Sequence, residues 1–367
     1  MYLKHIRKRT QLPATVLVLL QLLLTGAVLC VFALFHHVIP YYQRQSQGKP
    51  EPIAIAEREE ETESEVHAAE ETEESSEPEV TAEPEETEEP APTEKPGPPT
   101  WAELFAEQLA EEPTWEEMSY RSPNLAVNIT KYEYTDVSPD SVYYAADIYL
   151  TDIEQLRSIF PSVGTYVPPL GVVQEHNAIL AVNSDVFANQ SYAFVVRDGE
   201  LYNQNKTAAD ICVLYRDGTM ATYGPRDYET ADVIEAEPWQ IWHFGPMLLD
   251  EKGEVPEEFN ISGVLKGVHP RTAIGYYEPG HYVFVVVDGR QNGYSRGVDI
   301  QTMAAIMKDL GCVTAYNLDG GASSVMFFNG ELVNHPCGDR SLNDLVAILE
   351  PAEETPEEAA AQEEGNG

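Results

Sequence analysis

Residues 282–324 read YVFVVVDGRQNGYSRGVDIQTMAAIMKDLGCVTAYNLDGGASS, a strand, a helix and a second strand in succession. The run from Tyr282 to Val287 is apolar and β-branched, which suits a buried strand. Ile300, Met303, Ala304, Met307 and Leu310 follow the i, i+3, i+4 spacing of one helix face. Asp299 stands where an N-cap belongs and Gly311 where the last turn ends. Val313 to Leu318 then returns to strand chemistry. Both strands end in an aspartate followed by glycine, Asp288-Gly289 and Asp319-Gly320-Gly321. In a crossover unit the carboxyl ends of the two strands open on the same sheet edge, where open α/β sheets place ligands. The two aspartates are therefore predicted to face one cleft.

Strand-like runs surround this unit at 125–134, 142–150, 179–187, 193–202 and 211–223. Thr272 to Tyr277 and His281 to Asp288 flank Glu278-Pro279-Gly280 and read as a hairpin. Asp198-Gly199, Asp217-Gly218 and Asn329-Gly330 are further tight-turn signals. A second helix is predicted at Ile153 to Ile159, and a short amphipathic one between Trp101 and Met118. The expected fold class is α+β: a mixed, strand-dominated sheet with a few packed helices, spanning residues 120–350.

The N-terminal third has a different composition. Residues 1–12 are basic, and the uncharged apolar run 13–39 is long enough to cross a bilayer, for which about 20 residues suffice. A signal peptide has a shorter apolar core and a small-x-small exit. The expectation is a single-pass anchor with a cytoplasmic N-terminus and an extracytoplasmic C-terminal domain. Residues 43–100 are rich in Glu and Pro and nearly free of aromatics, so 40–115 is expected to be a disordered acidic linker, and 351–367 a disordered acidic tail.

The 367-residue chain carries a formal charge of −40, most of it in that linker and tail. No basic patch exists for phosphate backbones, so nucleic acid is excluded as a partner. Cys30, Cys212, Cys312 and Cys337 form no CxxC pair and no zinc spacing, and no disulfide framework is predicted. Asn128, Asn189, Asn205 and Asn260 lie in Asn-x-Ser/Thr sequons, relevant only in a eukaryotic secretory pathway.

Several segments carry chemistry. Asp288 and Asp319 are paired carboxylates. Gly320-Gly321, with Ser323 and Ser324, offers N–H and hydroxyl donors suited to an anionic oxygen. Arg271, in His269-Pro270-Arg271, has the planar fork that matches phosphate or carboxylate. In Asn183-Ser184-Asp185 polar residues interrupt a buried run and need partners. Asp185, Asp288, Asp299 and Asp319 are also oxygen donors for Ca²⁺ or Mg²⁺, so such an ion stays open as a cofactor while none is required. Against this stands the plain reading of each Asp-Gly as a turn and of Arg271 as a salt-bridged surface residue.

Taken in order, AVNSDVF, FGPMLLD, HPRTAIG, VVVDGR with its following helix, and NLDGGASSVM with the FNGELVNHP hairpin resemble the phosphodiester glycosidase family. The resemblance covers most of residues 175–340, with Ala322 where the family usually has a third glycine. It implies hydrolysis of a sugar 1-phosphodiester at the anomeric bond. A departing phosphate is a weak base, so stabilising it and the oxocarbenium-like centre matters more than protonating it. On that basis Arg271, the Gly320-Gly321 backbone and Ser323 or Ser324 hold the phosphodiester, Asp288 and Asp319 flank the anomeric carbon, and Asn183, Asp185, His269 and Arg290 orient the substrate or the carboxylates. The implied partner is a sugar phosphodiester or cell-surface glycan. The alternative is a non-catalytic carbohydrate-binding module of the cell envelope on the same fold.

Overall fold

The central apolar runs of this domain are too continuous for half-exposed strands, and their arrangement supplies the reason: the middle of each sheet is covered on both faces. The computed structural model describes residues 98–135, 140–161, 165–185 and 193–351. Among these, the strands form three sheets. The first runs β1 (Thr114–Glu116), β2 (Ser119–Arg121), β3 (Leu125–Tyr134), β4 (Ser141–Leu150), β13 (His281–Val287), β12 (Arg271–Glu278), β14 (Thr314–Asn317). The second runs β10 (Met220–Tyr223), β9 (Ile211–Tyr215), β11 (Pro238–Trp242), β7 (Phe194–Arg197), β8 (Glu200–Gln204). The third runs β16 (Glu331–Leu332), β15 (Met326–Phe328), β6 (Leu180–Asn183), β17 (Leu345–Ile348), β5 (Leu156–Ile159).

All three sheets turn one face to a shared core, built from Ile274, Phe284 and Val286 of the first, Leu214 and Trp242 of the second, and Leu180, Val182 and Val346 of the third. Three helices cover the outer faces. They are α4 (Ile300–Asp309) on the first sheet, α3 (Thr230–Glu235) on the second and α2 (Pro169–Glu175) on the third. The pleat splits β13 accordingly, with Tyr282, Phe284 and Val286 facing the shared core and Val283, Val285 and Val287 facing α4. The Asp299 carboxylate accepts from Thr302 N–H at the start of α4, and Gly311 takes a positive φ just beyond its end, as its sequence predicts.

β12 is antiparallel to both β13 and β14, so those two are parallel to each other with β12 inserted between them. The crossover is present, but its strands are not neighbours, because the Pro279-Gly280 turn first lays β12 alongside β13. Both carboxyl ends still open on one edge.

Three expectations are corrected. Ile153–Gln155 is a single 3₁₀ turn, closed by a capping box between Asp152 and Gln155, and the chain then enters β5 to pair with β17. The segment 101–118 forms only the short helix α1 (Trp101–Leu104), capped by Thr100, before β1 and β2 pair as a hairpin. Residues assigned to the linker up to 115 are also packed on the domain, since Phe105 is buried edge-on against Tyr149 and the Trp101 ring covers Gly218 and Gly280.

The basic tail 1–12, the apolar run 13–39, most of the linker and the acidic tail from 352 lie outside the described residues, as do 186–192 at the end of one predicted strand. Among the described residues no helix is long and apolar enough to cross a membrane. Cys212, Cys312 and Cys337 are free thiols.

Gly297 locks the edge that concerns function. Its φ is +93°, and a Cβ there would stand 2.4 Å from the carbonyl oxygen of His269. Gly297→Ala is expected to destabilise the domain by on the order of 3 kcal/mol, measured by urea unfolding. Gly293, with φ +80° but open space around it, is the control; its alanine variant loses only about 1 kcal/mol. Equal losses at both sites would show that close packing at Gly297 is not the cause.

Candidate active site

Four chain segments meet at the edge where β13 and β14 end. The Asn183 side chain at the end of β6 ties them together. Its Oδ1 accepts from the Thr272 hydroxyl of β12 at 2.7 Å and from Val325 N–H at 3.2 Å, and its Nδ2 donates to the Asp319 carbonyl at 2.6 Å. Asp319 N–H in turn donates to the Ser184 carbonyl. Asn183 is thus saturated within the protein and sets the position of the loop that carries Asp319; it does not present a free donor to a sugar.

Asp319 is the accessible carboxylate. Its side chain is 14% exposed and lines a narrow crevice with Tyr166, Ser184, Ser323, Arg340 and Asn343. Arg340 Nη1 lies 3.7 Å from Oδ2, and Gly320 N–H donates to Oδ1 at 2.9 Å. Burial raises its pKa above the usual carboxylate range. The Ser323 hydroxyl, the Arg340 charge and the Gly320 N–H oppose that rise, while the nearby Asp185 adds to it.

Asp288 shares the edge but not the exposure, being 1% accessible. Oδ1 accepts from Asn334 Nδ2 at 2.8 Å, Oδ2 from the Tyr294 hydroxyl at 2.9 Å, and His335 N–H reaches both oxygens. Burial raises its pKa, against the pull of these donors. The carboxylate thereby ties the 334–335 segment to Tyr294 of the 290–295 loop.

Arg271 is the clearest departure from expectation. Paired with Val287, it falls on the α4 face of the sheet, whereas Thr272 and Val286 fall on the shared-core face with Asp288. Its Nε donates to Val298 O at 3.2 Å and its Nη2 to Leu265 O and Gly267 O at 2.8 and 2.6 Å. Burial lowers its pKa to about 10. It braces a loop and is not brought to the two aspartates.

The Gly320-Gly321 backbone is likewise already engaged. Gly320 N–H is taken by Asp319 and Gly321 N–H donates to Pro270 O, while Ser323 N–H and Ser324 N–H close on Gly320 O and Gly321 O. A Cβ at Gly320 would sit 2.8 Å from Pro270 O, so glycine is needed there for chain packing. The Ser323 and Ser324 side chains are buried beneath the loop. The exposed cation at this spot is Arg290, held in a left-handed conformation at φ +59°. Its guanidinium lies against Gly321, and its Nη2 is 3.2 Å from Nδ1 of His269, whose Nε2 is 2.7 Å from Val264 O.

Asp185 is buried and paired with Arg197, which also lies 3.5 Å from Asp344, and His243 N–H donates to the second oxygen of Asp185 at 2.7 Å. It is a structural ion, not a sugar ligand. With Asp185 on Arg197, Asp288 on Asn334 and Tyr294, Asp299 capping α4 and Asp319 beside Arg340 and Gly320, the four carboxylates offered to a cation serve separate partners. Among the described residues no three acidic, histidine or cysteine side chains converge as a metal set. Sequence reading missed Arg197, Asp344, Asn334, Tyr294 and Arg340. Arg197 sits beside a turn signal and Arg340 in a loop without pattern, so only Asn334, inside the recognised hairpin motif, carried a usable signal. Two wider surface grooves, one beside Asp152 and His176 and one beside Trp115 and Gly330, lie at the opposite end of the third sheet.

Residues 176–349 match the model of the phosphodiester glycosidase family. The chain is 28% identical over 206 residues to the SPbeta prophage-derived uncharacterized protein YomE of Bacillus subtilis (strain 168), covering 54% of this chain and 32% of that one. It is 28% identical over 163 residues to human N-acetylglucosamine-1-phosphodiester alpha-N-acetylglucosaminidase, covering 39% and 31% respectively. The chain spans about a third of the length of these curated relatives. The catalytic domain of the zebrafish enzyme of the same name, solved auto-inhibited by its pro-peptide, shares the fold. Its TM-score is 0.52 at 22% identity, covering 63% of this chain and 85% of that one.

If Arg271 braces the 263–268 loop, Arg271→Met will expose the Lys266-Gly267 bond. Limited trypsin digestion is expected to cut there at least about tenfold faster than in the parent, as local opening becomes easier. An unchanged rate would separate Arg271 from the loop.

Proposed function

We infer that the domain is an extracytoplasmic hydrolase that cleaves the anomeric bond of a sugar 1-phosphodiester, of N-acetylglucosamine type, in a cell-surface glycan or glycoconjugate. The match to the phosphodiester glycosidase model supports hydrolysis of a sugar phosphodiester, and the name of the human relative supports the sugar. The apolar run 13–39 supports a membrane anchor, with the acidic linker as spacer.

The observation that carries the reading is the pairing of one accessible carboxylate, Asp319, with exposed guanidiniums on the same edge. Arg290 and Arg340 attract the phosphate. Asp319 takes a proton from water as that water attacks the anomeric carbon, and the C–O bond electrons leave on the phosphate oxygen, which needs no proton because a phosphate monoester is a weak base. A raised pKa makes Asp319 a stronger base than an ordinary carboxylate. Asp288 acts through the segments it ties together, and Asn183 through the loop it anchors.

Asp319→Asn is expected to lower kcat about a thousandfold on an α-N-acetylglucosamine 1-phosphodiester while circular dichroism stays unchanged. Retention of turnover would remove Asp319 from the chemistry. A folded parent chain without turnover on a panel of sugar phosphodiesters, yet with saturable sugar binding, would establish the carbohydrate-binding module instead.

Since Asp319 must be ionised, the rate should fall as pH drops through its pKa, and this acid limb should lie above the usual carboxylate range. Arg340 favours the ionised form, so Arg340→Gln should move the limb to higher pH. Because Arg340 is 48% exposed, the difference between parent and variant should shrink in high salt. A limb that moves to lower pH, or stays fixed, would contradict Asp319 as the titrating base.

A further inference from the structure

The loop beside Arg290 carries its apolar side chains outward. Val264, Leu265 and Val268 are 80%, 46% and 37% exposed within five residues of one another. The loop is built to hold them there: Arg271 binds the carbonyls of Leu265 and Gly267, and the His269 ring binds that of Val264. A buried guanidinium engaged in this way stops the loop from folding its apolar residues back onto the domain.

Charge is gathered at the same place. Lys266 stands inside the loop, and Arg290 and Arg296 lie exposed on the adjoining turn, joined by the Arg290 N–H to Arg296 O bond. In a chain of formal charge −40 this is a local basic edge. The imidazole of His269 bridges the two features, with Arg290 on one nitrogen and the apolar loop on the other. A phosphate seated on Arg290 therefore has an apolar shelf beside it, across the His269 ring.

We propose that this shelf receives the aglycone, and that the substrate is a sugar 1-phosphodiester whose far side is an alkyl or isoprenoid chain. The inference rests on the hydrolase reading for the sugar side. Its own content is the amphiphilic aglycone: the phosphate on Arg290, and the first carbons of the chain against Val264, Leu265 and Val268. A polar aglycone would leave these side chains in water and make no use of them.

The test uses the full chain and two soluble probes, hexyl phosphate and glycerol phosphate, with affinities measured by calorimetry. Hexyl phosphate is expected to bind about tenfold more tightly, as burial of one or two methylenes implies. The triple variant Val264→Ser, Leu265→Ser, Val268→Ser should lose that preference and keep its affinity for glycerol phosphate. Val264→Ser alone, at the most exposed position, should lose part of it. Arg290→Gln should weaken both probes. Equal binding of the probes by the parent chain, no binding of either, or a preference unchanged in the triple variant would overturn the proposal. The readout needs no turnover. A chain that shows the loop-dependent preference but hydrolyses no sugar phosphodiester would refute the hydrolase reading and leave the shelf in place, whereas turnover without that preference would do the reverse.

Discussion

The carboxamide of Asn183 joins two sheets and a loop at the edge where Asp319 stands. Two of its bonds satisfy buried groups, the Val325 N–H and the Thr272 hydroxyl, and the third holds the half-buried Asp319 carbonyl. Leaving such a group unpaired costs about 1–3 kcal/mol, so the position of Asp319 depends on this one side chain more than on the strand that ends before it. The glycines around Pro270 serve the same end, letting the 269–271, 289–297 and 320–321 segments approach within backbone contact.

The three-sheet plan explains the distribution of polar groups. With the inner faces meeting in one core and helices on the outer faces, the central strands β6, β11, β13 and β17 have no exposed side on which to place functional side chains. Polar residues are displaced to strand ends, and those that remain inside are paired, as Asp185 is with Arg197 and Asp288 with Asn334, Tyr294 and His335. Asp319 keeps access because it lies just past the end of β14 and beside a loop, not within the sheet.

The same logic divides the three arginines near the edge. Arg271 lies within β12 and is drawn into the packing between loop and helix. Arg290, on a turn with positive φ, and Arg340, on a loop, stay in solvent, where a guanidinium can meet an incoming phosphate. Rigidity and reactivity thus come from neighbouring residues of the same type, separated by whether each sits inside or beyond a strand.

Periodicity, caps and turn dipeptides act over a few residues, and for that reason the strand, helix, strand order of 282–318, the 278–280 hairpin, the caps of α4 and the placing of Asp288 and Asp319 at one edge were legible in the sequence itself. The inserted β12 was not, since strand neighbours depend on pairing across the whole domain. Nor was the direction of Arg271: in a sheet apolar on both faces the alternation that reveals which way a residue points is absent. The partners of Asp185, Asp288 and Asp319 come from segments far along the chain, and no local pattern announces them. The sequence by itself determined which elements form and where the acidic ends fall. Only the tertiary structure decided which charges are neutralised inside and which are left to meet a substrate, because burial and pairing are properties of the packed edge as a whole.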